Sequence, residues 1–587
     1  MSQRPPHIST DPSGPSLADL EQALQTTGQL SAVRRRDLRS AVARVAALLG
    51  EDPARLRLDL ESVAARLSAV NPVAAGLSAK RLANIRSDFL AAVRQSGLHP
   101  VLPPAKSELS SHWQTMMGRL PAKRHRLGLA RLARFASTAR IDPAEIDDAT
   151  LERFIGEVRR GSLHQNPNVL HRNVATIWNE VAVAFPDLGL AQVSKPCFRA
   201  PAKRIVWDTT AEAFRADVAK YLEWSAGADQ FAEDARPRPL APRTLKLRHN
   251  QIHAAITALV ESGVPADSMA CLGDLVRLDH FRRILRQRYE EAGRKANNFN
   301  RDLAEALIQI AREWVKVDHA HLAELKRLSG KMPMLPKGLT PKNKRSIAQF
   351  DDPEVVRRLL DLPAQLWTEV RRDPKPNFRT LARAQAALAI AMLTYMPVRS
   401  HNLHELMFGR HLFLHDGARA TSSLEIPADE VKNKTTALSF DIPPKLAKML
   451  LEYRDRIAPK VIARRPERVF INADGSPKSQ AMVAILIKTY LSKRAGIVMT
   501  PHQFRHLGAK IILDDQAGAH ELVRQFLGHK NLKTTTDFYA GLNTRRAGLH
   551  HQRLIEAAIA PRPAAQKARK KRPSHSSKAR TEQANGW

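Results

Sequence analysis

The stretch PHQFRHLGAK, residues 501–510, places a histidine and an arginine three residues apart, at His502 and Arg505. Thr500 and Pro501 come immediately before them, and a threonine followed by a proline is typical of a helix start. Side chains three residues apart lie on one helix face, so both groups are predicted on the first turn of a new helix. A helix N-terminus favours anions, and the added guanidinium and imidazole make phosphate the natural ligand.

Further motifs lie on both sides of this pair. In LGHKNLKTTTDFYAGL a helix is predicted to end at Gly528, with His529 after it and Tyr539 ten residues further on. Upstream, an apolar helix ends in YMPVRSHNLHEL, which places Arg399 at the turn after a buried element. The H-x-x-R pattern alone also fits an ordinary capped surface helix. The motifs that accompany it are what favour a functional site.

Composition indicates the kind of partner. The chain has 587 residues and a formal net charge of +35, with 93 Lys and Arg residues against 58 Asp and Glu residues. The excess is spread along the chain, which favours a polyanion such as nucleic acid. A run of 18 apolar residues and a lipidation motif are both absent, so no membrane partner is expected. Long Ala-, Leu- and Arg-rich stretches favour helices.

Two other features bear on the compartment. Cys197 and Cys271 are the only cysteines in the sequence, too few for a disulfide framework or a cysteine metal site. The N-terminal stretch MSQRPPHISTDPSGPS has no apolar segment typical of a secretion signal. We therefore expect a cytoplasmic protein.

Changes in patterning divide the chain into segments. Both ends are polar and lack periodicity, and the last 27 residues carry eight basic residues and one acidic residue. Between the two helical parts of the chain lies a stretch with three prolines and five Lys or Arg residues. The predicted boundaries are a disordered N-terminus at 1–16, helical regions at 17–200 and 205–330, a basic linker at 331–350, a second core at 351–560 and a disordered basic tail at 561–587.

Parts of the helical region resemble one another. RHRLGLARLARFASTARIDPAEIDDATLERFIGEV is followed by LHRNVATIWNEVAVAF, and RTLKLRHNQIHAAITALVESGVPADSM is followed by NNFNRDLAEALIQIAREWV. Each reads as a basic helix, a Pro-Ala turn, a short helix and a closing helix with Arg and Asn. With the helical stretch 17–98, this pattern predicts three unevenly spaced copies of one unit. The alternative is that any Ala-, Leu- and Arg-rich helical chain aligns to itself this well.

The second core changes its period partway along. Asp352 and Pro353 have the signals of a helix cap and a first helical residue. In HLFLHDGARATSSLEIP two strands are predicted around the turn Asp416-Gly417, and ALSFDIP is predicted as a third strand. Helices resume at Pro444. The predicted fold is mainly α and multidomain, with a small antiparallel β-meander in the C-terminal part.

The motifs together resemble the tyrosine recombinases, the phage integrase family of site-specific DNA recombination. The resemblance covers residues 340–555 and extends to 205–330, which is similar to the family's helical core-binding domain. It implies helical DNA-binding domains followed by an α+β catalytic domain. The matching residues occur in the family's order; they are Arg399 in PVRSHNLHEL, His502 and Arg505 in HQFRH, His529 in LGHKN and Tyr539 in TTTDFY.

The resemblance implies a role for each matching residue. Tyr539 attacks the scissile phosphate and forms a 3′-phosphotyrosyl link with a free 5′-hydroxyl. The guanidiniums of Arg399 and Arg505 neutralise charge on the non-bridging oxygens, and His529 donates a further hydrogen bond to them. His502 helps to take the proton of the tyrosine or to return it. No metal or other cofactor is required.

The leaving 5′-oxygen needs an acid, which the family supplies from a lysine on a β-hairpin. ADEVKNKTTALSFDIP offers Lys432 and Lys434, and residues two apart share a strand face, so geometry leaves the choice open. The resemblance favours Lys432. The family also often has an acidic residue three positions after the first arginine, where this chain has Asn402. An amide still orients Arg399 by hydrogen bonding, without the charge of a carboxylate.

Other histidines have plainer interpretations. His506, beside Arg505, is interpreted as a packing or hydrogen-bonding residue rather than a catalytic one. The histidines of HNLH and GRHLFLH are not expected to bind a metal, because no third ligand type is spaced to complete a site.

The resemblance also implies partners. These are double-stranded DNA, three further copies of the chain in a tetramer on paired sites, and accessory recombinases or DNA-bending proteins. The expected place of action is the bacterial cytosol and nucleoid, on a mobile element. Two rival functions are a monomeric type IB-like DNA topoisomerase with the same chemistry and a non-catalytic DNA-binding accessory protein. The intact set of motif residues argues against the accessory protein.

Overall fold

The computed structural model describes residues 14–27, 30–102, 107–198, 204–229, 231, 233, 235–336, 338–416, 421–431, 437–516, 518–539, 552 and 555. The chain forms two compact units: Met1–Lys337 with Thr489–Ile497, and Gly338–Lys488 with Val498–Trp587. Helices predominate over the described residues, and three strands form one small antiparallel sheet there. The predicted mainly α, multidomain fold is confirmed.

The first unit is helical over its described residues and has three apolar cores. The first core lies among α1 to α4, the second among α5 to α8, and the third among α9 to α14. The helices are α1 (Leu17–Thr26), α2 (Ala32–Leu49), α3 (Leu60–Ala69), α4 (Ala79–Ser96), α5 (Ser111–Arg119), α6 (Lys123–Thr138), α7 (Asp148–Gly161), α8 (Pro167–Ala184), α9 (Glu212–Ala226), α10 (Pro242–Glu261), α11 (Leu272–Val276), α12 (Leu278–Glu291), α13 (Asn298–Ile310) and α14 (His319–Gly330).

The two stretches predicted to repeat have the same order of elements. In the first, α6 leads through a 3₁₀ turn at Pro143–Glu145 to α7 and α8. In the second, α10 leads through a 3₁₀ turn at Ala266–Ser268 to α11, α12 and α13. The short helix expected in the second stretch is two helices, because the extended backbone of Arg277 separates α11 from α12. The origin of these bundles from one repeated unit stays a prediction.

The second unit contains the sheet and the remaining helices. Its helices are α15 (Pro341–Ala348), α16 (Pro353–Arg371), α17 (Phe378–Tyr395), α18 (Ser400–His404), α19 (Pro444–Glu452), α20 (Pro459–Ile462), α21 (Gln480–Tyr490, the last two residues of which belong to the first unit), α22 (Gln503–Asp515), α23 (His520–Leu527) and α24 (Leu532–Tyr539). The expected start of α16 is confirmed, since the side chain of Asp352 accepts from the backbone N–H of Glu354 at 2.9 Å. The expected apolar helix is α17, which is buried along most of its length.

The sheet is the predicted β-meander. Its strands are β1 (Leu412–Phe413), β2 (Ser423–Ile426) and β3 (Leu438–Asp441), paired antiparallel in that order. In β2, Leu424 and Ile426 are buried while Glu425 between them is exposed, as expected for a sheet with one face against a core. The predicted turn residue Gly417 lies outside the described residues.

Part of the predicted linker is a helix. Within 331–350, α15 begins after Thr340, whose side chain accepts from the backbone N–H of Asn343 at 3.3 Å. Pro341 occupies the first turn, where its missing N–H has no cost. Ile347 is buried, so the helix packs within the second unit. The prolines and lysines that indicated a linker are here helix-start signals and exposed positions.

Both chain ends fall largely outside the described residues. The disordered segments expected at 1–16 and 561–587 do so, apart from residues 14–16, where Ser16 is buried and caps α1 in a capping box with Asp19. Among the helices that the structure describes, none combines the length and the apolar character that a membrane span needs.

Candidate active site

Arg399 follows a buried turn. The apolar helix α17 ends at Tyr395, Met396 to Val398 are buried, and Arg399 forms the N-cap position of α18. Its guanidinium is half-buried, and the buried Nη1 atom has no hydrogen-bond partner among the described residues. Burial lowers the pKa of Arg399 from its ordinary value. A buried guanidinium nitrogen without an acceptor favours an anion at that position.

Arg505 is the most deeply buried of the predicted site residues with a charge, at 4% exposure. Its Nη1 donates to the carbonyl oxygen of Pro397 at 2.8 Å, and its Nη2 donates to the carbonyl oxygen of Leu527. One guanidinium therefore ties α22 to the turn before Arg399 and to the end of α23. Burial, and then the charge of Arg399, lower its pKa to about 10, so Arg505 stays charged at neutral pH.

Two glycines allow these elements to come this close. A Cβ on Gly508 of α22 would lie 2.9 Å from Phe526 and 3.4 Å from Pro397. Gly528 has a φ of +59° and closes α23 in the left-handed conformation, as predicted. A Cβ there would lie 2.7 Å from Leu438 of β3, so glycine is needed for space as well as for conformation.

His529 leaves this glycine turn toward the two arginines. Its Nδ1 lies 3.0 Å from the hydroxyl of Thr535, which is fully buried on α24. Burial lowers the pKa of His529 to about 4, and the charges of Arg505 and Arg399 act in the same direction. The imidazole is therefore neutral at pH 7. The contact with the threonine hydroxyl engages Nδ1 and orients the imidazole ring.

Tyr539 is the last residue of α24 and is 2% exposed. Its hydroxyl lies 2.9 Å from Nδ1 of His506. Burial raises the pKa of Tyr539 to about 12, and the charge of Arg505 opposes this rise. The phenol is thus protonated at rest, beside a cation that stabilises the phenolate.

His502 lies one residue before the helix rather than on its first turn. The helix was predicted to open at Pro501, but α22 begins at Gln503 with His502 at the N-cap. Residues 500–503 form a tight turn before the helix, because the backbone N–H of Gln503 donates to the carbonyl oxygen of Thr500 at 2.9 Å. The ring of His502 lies 5.1 Å from that of His506, nearly perpendicular to it.

His506 was interpreted as a packing or hydrogen-bonding residue, and the structure places it in contact with the tyrosine oxygen. Burial lowers its pKa to about 4, followed by the charges of His502, Arg505 and His529. A signal for this position exists in the sequence: His502 and His506 are four residues apart, so they share a helix face.

Lys432 and Lys434 lie outside the described residues, in the connection between β2 and β3. The chain just before them is held by Asn402, whose amide Nδ2 donates to the carbonyl oxygen of Glu430 at 3.0 Å. Asn402 was expected to orient Arg399; the hydrogen bond that the structure describes for its amide goes to the hairpin instead.

Four basic side chains of the candidate site have pKa values shifted in the same direction. The pKa values of Arg399, Arg505, His506 and His529 are all lowered, first by burial, and the charges that shift them further are cationic, apart from the tyrosine beside Arg505. In such a cluster the protonated, positively charged forms are destabilised. A bound phosphate would stabilise them, so the cluster favours an anion. The structure thus brings together five of the six predicted residues.

Three further side chains could hold a metal. Ligand atoms of His401, His404 and Glu405 lie within 4.8 Å of one another. The carboxylate of Glu405 already pairs with Arg468, and Nδ1 of His404 lies 2.6 Å from the carbonyl oxygen of His401. Both groups are thus engaged in contacts that a metal would displace.

The lowered histidine pKa values predict the pH dependence of stability. His506 and His529 have a pKa of about 4 in the folded chain against an ordinary 6.5, so the unfolded chain binds more protons between these values. Their contribution to stability is present above pH 6.5 and is lost as the pH falls toward 4. Thermal melts from pH 7.5 to 4 should show the melting temperature falling by several degrees.

Two variants identify the source of that fall. His506→Gln and His529→Gln should each flatten the dependence, while His401→Gln, at an exposed histidine outside the cluster, should leave it unchanged. Equal slopes in all three variants would contradict the assignment.

Comparison with known proteins gives a match to one protein family and to several solved structures. Residues 426–546 match the phage integrase family. Among solved structures, a λ integrase(75–356) dimer bound to a COC′ core site is 14% identical, with a TM-score of 0.32 over 54% of this chain and 95% of that one. XerH site-specific recombinase bound to difH is 15% identical, with a TM-score of 0.30 over 61% and 98%. The Tn1549 transposon integrase with circular intermediate DNA is 15% identical, with a TM-score of 0.31 over 54% and 94%. Comparison with curated proteins gave no match.

The segment that is similar to the phage integrase family, residues 426–546, includes the buried Tyr539 together with His502, Arg505 and His529.

Proposed function

We propose that the protein exchanges DNA strands at specific sites through a covalent bond between Tyr539 and the 3′-phosphate of a cleaved strand. The observation that supports this most strongly is the convergence of cationic groups on one buried phenol. The charge of Arg505 lowers the pKa of Tyr539, and the charge of Arg399 lowers the pKa of Arg505. Both arginines lower the pKa of His529. A tyrosine in this setting is a nucleophile for an anionic ester rather than a core residue.

The cleavage step follows from the groups present. The phenolic oxygen attacks phosphorus, its proton passes to His502, and the bond from phosphorus to the 5′-oxygen breaks. Arg399, Arg505 and Nε2 of His529 donate to the non-bridging oxygens as charge develops on them. The 5′-oxygen takes a proton from Lys432. Rejoining is the same path in reverse, so the energy of the phosphodiester is kept in the phosphotyrosyl link.

The arginines contribute differently. Both Nη atoms of Arg505 already donate to backbone carbonyls, so this guanidinium is held rigidly and presents its remaining N–H groups and its charge. Arg399 has a buried Nη1 without a described partner and is available for a phosphate oxygen. Preorganised donors of this kind need no rearrangement when the transition state forms.

The helical first unit is proposed to bind the DNA around the cleavage site. Residues 205–330 are the proposed core-binding domain, and the bundles within 17–200 add further contacts to DNA or to another copy. Support comes from α12, which buries Phe281 and Ile284 and exposes Arg282, Arg283 and Arg286. An amphipathic helix with an arginine-rich exposed face suits phosphate contact.

Assembly and setting follow from the reaction. Exchange between two duplexes cuts four strands, so the proposed working form is a tetramer on paired sites in the bacterial cytosol. Its biological outcome is integration, excision or transposition of a mobile element, with accessory recombinases or DNA-bending proteins as helpers.

Covalent capture tests the function and finds the target site in the same experiment. The protein is incubated with short fragments of the genome that encodes it, washed under denaturing conditions, and the attached DNA is sequenced. Short fragments lose the piece beyond the cut, which traps the adduct. We expect reads that end at one nucleotide of a short recurrent sequence. Attachment at random positions would indicate a topoisomerase, and no attachment would indicate an accessory protein.

A further inference from the structure

A line of hydrogen bonds connects the backbone to the oxygen of Tyr539. The backbone N–H of Thr500 donates to Oε1 of Gln503 at 2.7 Å, and Nε2 of Gln503 donates to Oδ1 of Asn343 at 3.1 Å. Nδ2 of Asn343 lies 3.3 Å from Nε2 of His506, and Nδ1 of His506 lies 2.9 Å from the tyrosine hydroxyl. Gln503 and His506 are 3% and 4% exposed, and Asn343 and Thr500 are partly buried.

The donor and the acceptor of each hydrogen bond in this series follow from the first bond, that of the Thr500 backbone N–H. A backbone N–H only donates, so the oxygen of the Gln503 amide faces Thr500 and its nitrogen faces Asn343. The nitrogen of Gln503 only donates, so the oxygen of Asn343 faces it, and the nitrogen of Asn343 faces His506. An amide nitrogen is likewise only a donor, so Nε2 of His506 is the acceptor. The proton of the neutral imidazole is therefore on Nδ1, directed at the tyrosine oxygen.

The surroundings maintain that neutral tautomer. A second proton on Nε2 would face the amide N–H of Asn343, and it would add a charge beside His502, Arg505 and His529. Burial, followed by the electrostatic interactions with His502, Arg505 and His529, lowers the pKa of His506 to about 4. The ring is thus an N–H donor to Tyr539 throughout the neutral range.

We propose that His506 is a catalytic residue that stabilises the phenolate of Tyr539 by donating a hydrogen bond from Nδ1, and that Asn343 and Gln503 are positioning residues that fix this tautomer. The inference rests on the proposed function, in which Tyr539 is the nucleophile. In cleavage, the phenolic proton leaves for another group as the bond to phosphorus forms, and His506 keeps its own proton. In rejoining, the same N–H receives the negative charge as the phenolate departs.

This role differs from that of a general base. A base at position 506 would need an unprotonated Nδ1. The hydrogen bonds of Gln503 and Asn343 instead make Nε2 the unprotonated nitrogen of His506. A donor to the phenolate is also what a buried tyrosine needs, because burial raises its pKa to about 12 and makes the anion costly. Oxyanion donors of this kind contribute about 10²–10³-fold to rate.

The test pairs two variants of His506 with a more acidic nucleophile. In His506→Asn, the amide nitrogen occupies the place of Nδ1 and still donates; in His506→Leu, of similar size, nothing donates. On the DNA recovered by covalent capture, His506→Leu should slow both adduct formation and rejoining by about 10²-fold, and His506→Asn should recover most of the loss. Incorporating 3,5-difluorotyrosine at position 539 lowers the pKa of the phenol, so it should accelerate the His506→Leu protein far more than the parent.

The outcomes separate the possibilities. Equal effects of fluorination in the parent and in His506→Leu would overturn the proposal, because a structural defect is not repaired by an acidic phenol. Activity in the acceptor-only variant His506→Asp together with inactivity in His506→Asn would also overturn it, since that result identifies a base. Asn343→Leu, which leaves His506 in place, should show a smaller defect with the same response to fluorination. An adduct in the parent that persists in Tyr539→Phe would instead refute the proposed function.

Discussion

Replacing Tyr539 by phenylalanine should abolish covalent attachment to DNA while leaving DNA binding intact. The change removes only the hydroxyl, which is the atom proposed to attack phosphorus and the atom that contacts Nδ1 of His506. The ring is 2% exposed and packs among Leu339, Leu513 and Leu527, contacts that phenylalanine retains. Denaturing gels of the protein with a nicked substrate measure the adduct, and gel-shift titrations measure binding.

A control is needed because any loss of packing near the site would also reduce activity. Tyr490→Phe removes another tyrosine hydroxyl of the chain outside the proposed site and should leave the adduct unchanged. An adduct formed by the Tyr539→Phe protein would show that the nucleophile is a different residue.

The second large effect concerns the acid that protonates the leaving 5′-oxygen. Lys432→Ala should cleave a normal site about 10²–10⁴-fold more slowly, the usual loss for a general acid. A substrate with sulfur at the 5′ bridging position has a leaving group that departs as an anion, so the acid becomes dispensable. Lys432→Ala should therefore recover most of its rate on that substrate, and Lys434→Ala should be near normal on both substrates.

Arg399→Ala is the matched control for this rescue. Arg399 is proposed to contact the non-bridging oxygens, which are unchanged in the sulfur substrate, so its variant should stay slow on both. Arg505→Ala is less suitable, because the loss of its bonds to Pro397 and Leu527 disturbs the fold itself. If the sulfur substrate rescued Lys434→Ala and not Lys432→Ala, the general acid would be Lys434.

Most of the site follows from local signals in the sequence. Arg399 after an apolar helix, Gly528 as a C-cap before His529, and a Thr-Pro turn before His502 are each patterns of a few neighbouring residues. The β-meander is equally local, because alternation and turn residues define it. Family motifs then connect positions that local patterns leave separate.

The remaining features depend on contacts that no local pattern reports. Asn343 lies 163 residues before His506 in the chain, in a segment whose prolines and lysines indicated a linker. Asn402 lies three residues after Arg399 in sequence, but its amide bonds to the carbonyl oxygen of Glu430, 28 residues away. The spacing of His502 and His506 places them on one helix face, but it assigns no role to His506, because the adjacent Arg505 and the nearby His502 already fit the motif. Its role follows only from the hydroxyl 2.9 Å from its ring.

The central claim is that Tyr539 carries the cleaved DNA strand, and the most direct measurement is to map the attachment. The trapped adduct is digested with trypsin and nuclease, and the modified peptide is sequenced by mass spectrometry. The account predicts a nucleotide joined through its 3′-phosphate to the single tyrosine of the peptide TTTDFYAGLNTR, residues 534–545. A nucleotide on any other peptide, or one joined through its 5′-phosphate, would contradict it.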